Sequence, residues 1–216
     1  MLSEEMNKHI KLLTKRYPML CCCQEAIAKA FEIMENVYAA GGKMLIAGNG
    51  GSAADSEHIV GELMKSFKLP RKVSDVFIEK LKSVDKERAE KLANELQNGL
   101  PAIALDGHIA LTTAHLNDVD GVTGFAQQLY GYAKKNDAFM GISTSGNSKN
   151  IMYAAVTAKA LGLPIIALTG ETGGEIKNIA DVTIKVPERE TYMIQELHLP
   201  VYHCLCLMLE DRFFGA

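Results

Sequence analysis

A chain of 216 residues that is 48% hydrophobic and 23% charged has the make-up of a globular protein with a large core. Its 23 Lys and Arg are scattered and the formal net charge is -3, so the electrostatic footprint of a nucleic-acid binder is absent. No apolar run approaches the roughly 20 residues that cross a bilayer, and MLSEEMNKHIKLL is acidic where a signal peptide is basic, so a cytoplasmic protein without a membrane partner is expected.

In chain order, residues 1–40 read as one or two amphipathic helices, EEMNKHIKLLTKRY and QEAIAKAFEIMENVYAAGG, the second stopped by Gly41 and Gly42. Five short apolar runs follow at intervals: KMLIAG (43–48), PAIAL (101–105), AFMGIST (138–144), PIIALTG (164–170) and VTIKVP (182–187). Continuous apolar runs of this length suit strands covered on both faces. Helical periodicity separates most of them, as in KNIMYAAVTAKALGL (149–163), which sets Ile151, Ala154, Ala155, Ala158 and Leu161 along one stripe. That alternation predicts an α/β fold with a doubly wound parallel sheet, whose ligands sit at the C-terminal ends of the strands. Residues 71–98 fall outside the alternation: Val76, Phe77, Leu81, Val84, Leu92 and Leu96 stand amid dense charge, which predicts an inserted helix or helical hairpin exposed to solvent. The five cysteines, Cys21, Cys22, Cys23, Cys204 and Cys206, lie in two apolar stretches without metal-finger spacing and are expected to be buried, reduced thiols.

Two loops carry the polar interest. AGNGGSAAD (47–55) follows the first strand and STSGNSKN (143–150) the third, and each then opens a helix. Backbone N–H groups and the positive end of a helix dipole suit a phosphate there, and the hydroxyls of Ser143, Thr144, Ser145 and Ser148 would complete a cradle. Simple capping by Ser148 and Asn147 explains the same residues. Neither loop matches the P-loop or the G-x-G-x-x-G fingerprint, which argues against a nucleotide. On the helix after GNGGS, His58 and Glu62 stand at i and i+4, on one face, where an exposed intrahelical pair is the plainer reading. Gln195, His198 and His203 are polar groups on the otherwise apolar segment YMIQELHLPVYHCLCLMLEDRF.

GNGGSAADSEH, GISTSGNSKNI, ALTGETGGEI and IQELH, in this order, resemble the sugar isomerase domain superfamily, and within it the phosphoheptose isomerases. The likeness covers residues 30–210 apart from 71–98, a segment longer than its counterpart in the family. It implies one domain over 1–216, a five-stranded parallel sheet flanked by helices, a cytoplasmic homotetramer and a sugar-phosphate substrate. The implied reaction interconverts sedoheptulose 7-phosphate and D-glycero-D-manno-heptose 7-phosphate. The family's substrate contacts fall on Asn49, Gly50, Gly51, Ser52, Glu62, Asn117, Asp118, Ser143, Thr144, Ser145, Ser148 and Gln195. Its functional pair falls on Glu62 and His203, with His58 and Gln195 completing a divalent metal site, most naturally one zinc ion per subunit. Nothing in the resemblance gives His198 a role, and a structural one is expected. Glu62 would move a proton between neighbouring carbons through an enediolate while His203 serves the oxygens. Isomerisation of another sugar phosphate, or a non-catalytic sugar-phosphate regulator on the same frame, are the alternatives. Pro200 lies between Gln195 and His203 and is expected to kink their helix.

Overall fold

The computed structural model describes residues 4–215. Two helices, α1 (Glu4–Arg16) and α2 (Gln24–Ala39), joined by a 3-10 turn over Pro18–Cys23, precede the first strand. On α2 the spacing of Ile27, Ala30, Phe31, Met34 and Val37 makes one apolar face, and that face is buried. Beyond it Gly41 takes φ +73, which lets the Gly41 and Gly42 amides return to the carbonyls of Tyr38 and Val37 and end the helix.

The strands are β1 (Met44–Ala47), β2 (Ala102–Ala104), β3 (Ala138–Ile142), β4 (Ile165–Thr169) and β5 (Val182–Lys185). They form one parallel sheet in the order β2-β1-β3-β4-β5, with Met44 opposite both Ala102 and Ala138. The remaining helices are α3 (Gly51–Met64), α4 (Asp75–Val84), α5 (Lys86–Glu95), α6 (Ile109–Asp118), α7 (Gly124–Tyr132), α8 (Lys149–Ala160) and α9 (Thr191–Phe214). Alternate strand residues feed two cores. Met44, Ile46, Met140, Ile142, Ile166 and Leu168 pack with α1, α2, α3 and α9. Leu45, Phe139, Ile165 and Ala167 pack with α7 and α8 on the opposite face. Burial on both faces explains why the strands read as unbroken apolar runs. Among the described residues no helix is long and apolar enough to cross a membrane.

Two expectations need correction. Leu161 leaves the α8 stripe because the helix ends at Ala160; Leu161 is 39% exposed, and Leu163 enters the core instead. Of the cysteines, Cys23, Cys204 and Cys206 are buried, but Cys21 and Cys22 are exposed. A 3-10 turn has three residues per turn, so only one of three consecutive side chains can face inward. All five thiols are free, and burial pushes those of Cys23 and Cys204 up to about 12.

The 71–98 segment is a helical hairpin of α4 and α5, which pack mainly on each other. Ser74 and Asp85 cap the two helices by accepting from the Phe77 and Arg88 amides. Its apolar residues remain largely outside, Val76 at 69% and Val84 at 86% exposure. The hairpin is anchored at its base, where buried Arg71 donates from Nε to the buried Glu210 carboxylate of α9 at 2.9 Å. The same carboxylate accepts from the amides of Phe67, Lys68 and Leu69, while Arg71 also donates to the carbonyls of Leu63 and Glu62. Every buried polar atom of the pair thus finds a partner, the condition under which a buried charge pair is tolerated.

Candidate active site

Strand order reverses between β1 and β3, whose outgoing connections run to opposite sides of the sheet and open a crevice at their C-terminal ends. The loops after β1 and β3 fill that crevice and are tied together by a reciprocal amide pair. Asn49 Nδ2 donates to Asn150 Oδ1 at 3.0 Å, and Asn150 Nδ2 returns to Asn49 Oδ1 at 2.8 Å. In the serine loop, Ser143 and Ser148 share a hydroxyl contact of 2.9 Å, and Ser145 Oγ accepts from the Asn147 amide at 3.1 Å. Ser148 precedes α8 at the N-cap position, but its side chain makes no capping bond; its hydroxyl is engaged with Ser143. Gly146, at φ +68, crosses the 173–174 backbone so closely that a Cβ there would lie 2.3 Å from the Gly173 carbonyl oxygen. Gly50, Gly51 and Ser52 start α3, and a Cβ on Gly51 would lie 2.6 Å from Nε2 of Gln195. Two helix N-termini, several hydroxyls and the Gln195 amide therefore border one space, which is the chemistry of an anion site.

From that loop α3 and α9 run side by side in the same direction. Gly51 lies beside Gln195, and His58 lies beside His203. At 1.5 Å per residue, His58 stands about 10.5 Å along the axis from Gly51, and His203 about 12 Å from Gln195. There His58, Glu62 and His203 bring one ligand atom each within 4.8 Å of one another. His58 Nε2 is 3.2 Å from Glu62 Oε1 and 3.4 Å from His203 Nε2. Glu62 Oε2 is buried and accepts no hydrogen bond among the described residues; Lys65 Nζ reaches it at 3.7 Å. On the outer side of His58, the Tyr202 hydroxyl stands 2.9 Å from Nδ1 and 3.2 Å from Asp55 Oδ1. Burial raises the Asp55 carboxyl above its usual range, against the pull of the Tyr202 hydroxyl and His58. Burial, with His58 nearby, lowers His203, against the pull of Glu62. The phenol of Tyr202 is pushed far up by burial and by Asp55.

Asp106, just past β2, steadies the first loop from behind. It accepts from the Gly48 amide at 3.2 Å and from the Ser56 hydroxyl of α3. Burial raises its carboxyl, opposed by those two donors. His198, on α9, is 0% exposed. Neither ring nitrogen makes a well-formed hydrogen bond among the described residues, although the Thr169 backbone is near, and burial holds the imidazole down at about 4.

The His58–Glu62 pair is intrahelical, as spacing implies, but His203 joins it from the far end of the chain. Asn49, Gly50, Gly51, Ser52, Ser143, Thr144, Ser145, Ser148 and Gln195 border the loop end of the crevice. Gln195 rests against Gly51, two turns before His203 on α9, while the three-residue cluster stands beyond it. Asn117 and Asp118 end α6, bond to each other at 2.8 Å and are exposed, on a helix that packs chiefly against α7 and its preceding turn. Helix α9 continues through Pro200, which has no N–H to offer the Glu196 carbonyl. Sequence reasoning missed Asp55, Asp106 and Tyr202. Asp55 had a signal, three residues before His58 on the same face. Tyr202 had none, since beside His203 it reads as core.

Comparison with known proteins gives a consistent picture. The SIS domain family model matches residues 87–170. A phosphoheptose isomerase of Geotalea daltonii is 39% identical over 189 residues, covering 88% of this chain and 85% of that protein. One of Akkermansia muciniphila is 33% identical over 215 residues, covering 100% of both chains. The solved structure of a phosphoheptose isomerase from Francisella tularensis superposes with a TM-score of 0.74 at 29% identity, covering 96% of this chain and 97% of that one.

Proposed function

Since the chain belongs to the phosphoheptose isomerase family, we propose that it interconverts D-sedoheptulose 7-phosphate and D-glycero-D-manno-heptose 7-phosphate, in the crevice between α3 and α9. The observation that carries this reading is the meeting of Glu62, His58 and His203 two helical turns from the loop end. Phosphate held by the serine loop and the Gly51 helix start would leave the carbonyl several carbons away, over the cluster. Anchoring a non-reacting group in this way lends binding energy to the reacting end.

The Glu62 carboxylate takes the proton from C1 of the ketose, the C1–C2 enediolate forms, and the same carboxylate returns the proton to C2. His203 carries the balancing proton from O1 to O2. His58 Nε2, Glu62 and His203 Nε2 form a nitrogen and oxygen donor set that suits zinc, and the buried Oε2 of Glu62, which accepts no hydrogen bond among the described residues and has Lys65 Nζ at 3.7 Å, is a further oxygen donor. These three residues would hold the ion, and Gln195 would need to turn from Gly51 to join them. When bound, zinc supplies Lewis-acid polarisation of the substrate oxygens.

Exposed Ile109, Leu116 and Val119 give α6 an apolar surface that suits a subunit contact, so a homotetramer is part of the reading, with Asn117 and Asp118 serving a neighbour's crevice. A cytoplasmic setting agrees with five free thiols. The test is an isomerisation assay across seven-, six- and five-carbon ketose phosphates, with and without chelator, on wild type and Glu62→Gln. Turnover of the heptose alone, lost in the variant and restored by zinc after chelation, is expected. Equal turnover by the variant removes Glu62 as the base.

A further inference from the structure

Resting on the metal reading above, we infer that Tyr202 is a positioning residue: with Asp55 it fixes the tautomer of His58 so that Nε2 presents its lone pair to the Glu62–His203 cluster. Hydrogen-bond arithmetic at one oxygen leads there. The Tyr202 hydroxyl has a single proton and two polar neighbours, Asp55 Oδ1 at 3.2 Å and His58 Nδ1 at 2.9 Å. A carboxylate oxygen can only accept, so the phenolic proton goes to Asp55. The hydroxyl oxygen then meets Nδ1 as an acceptor and draws the imidazole proton to Nδ1, in competition with Glu62 Oε1, which stands 3.2 Å from Nε2. With the proton on Nδ1, Nε2 keeps its lone pair, and it is the nitrogen that faces Glu62 and His203 at 3.2 and 3.4 Å.

The surroundings hold this chain of contacts in one arrangement. Tyr202 is 1% exposed, and its ring packs edge-on against His58 and His203, with centroids 5.4 and 5.0 Å away. Asp55 stands one turn before His58 on α3, so helix geometry fixes the spacing of the two groups that the hydroxyl bridges. An outer partner that sets the tautomer of a ligating histidine changes metal affinity by about 10- to 100-fold when removed.

Two substitutions and one spectrum test it. Tyr202→Phe keeps the ring and deletes the oxygen. Asp55→Asn keeps the hydroxyl but supplies an amide N–H that can donate to it, which turns the phenolic proton toward Nδ1 and reverses the tautomer. On metal-free, full-length protein, 15N NMR of the imidazoles is expected to show His58 protonated at Nδ1 in wild type and at Nε2 in Asp55→Asn. Zinc titration is expected to give about 10- to 100-fold weaker binding for both variants. Wild-type His58 protonated at Nε2 overturns the proposal without any variant having to fold. So do zinc affinities within about twofold of wild type for both variants. A wild-type chain that binds no zinc while its tautomers are as expected removes the metal reading and leaves the relay standing.

Discussion

Acid should destabilise this protein through one buried imidazole. His198 is fully enclosed on α9, and burial holds it down at about 4, against 6.5 for an ordinary histidine. Between those values the unfolded chain binds a proton at this position and the folded chain does not, so stability is lost as pH falls. Integrating the two titrations gives almost no contribution at pH 7.5 and a loss of about 2 kcal/mol by pH 5. The assay is urea unfolding at both pH values and one fixed protein concentration, for wild type and His198→Leu. Other histidines titrate in both proteins, so their effects cancel in the double difference, which should be about 2 kcal/mol in the direction of a flatter variant. A difference below about 0.5 kcal/mol would mean that His198 gains its proton as an exposed residue does, and the enclosed, poorly bonded ring would be the wrong description.

Three further outcomes follow from the geometry. Glu210→Gln leaves the Arg71 guanidinium buried without its charge partner and should cost about 3–5 kcal/mol, read by urea unfolding; Arg71→Met with Glu210→Leu should not recover it, because the Phe67, Lys68 and Leu69 amides lose their acceptor as well. Gly146→Ala puts a Cβ where the Gly173 carbonyl already stands and at a φ that suits glycine, so the serine loop must shift; KM for the sugar phosphate should rise by at least tenfold, and an unchanged KM would detach that loop from phosphate binding. Glu62→Gln should lower kcat by about 10²- to 10⁴-fold in the isomerisation assay while KM stays within a few-fold.

The sheet was legible because its physics is local. Runs such as KMLIAG and PIIALTG are short, unbroken and closed by turn residues, and both faces of the resulting strands are covered. The loops after β1 and β3 were legible for the same reason, since glycine and hydroxyl residues stand next to helix starts in the linear chain. The cluster was half legible. Spacing alone paired His58 with Glu62, but His203 came from family likeness, because nothing local shows that α9 lies parallel to α3 with Gln195 level with Gly51. That alignment also hid Tyr202, whose neighbour in sequence is a ligand candidate and whose own hydroxyl finds Asp55 only across the interface of two helices. Leu161 and the cysteine run failed at element ends, where one residue more or less of helix decides which way a side chain faces.

The Glu210 carboxylate has a kinetic consequence. It lies about 140 residues beyond the amides that donate to it, so the end of α3 and the base of the hairpin lack this tether during synthesis until residue 210 has emerged. Because Arg71 donates both to Glu210 and to the Glu62 carbonyl, the Glu62 turn of α3 is joined to α9 through this same long-range contact, and a fragment that stops before residue 210 lacks it.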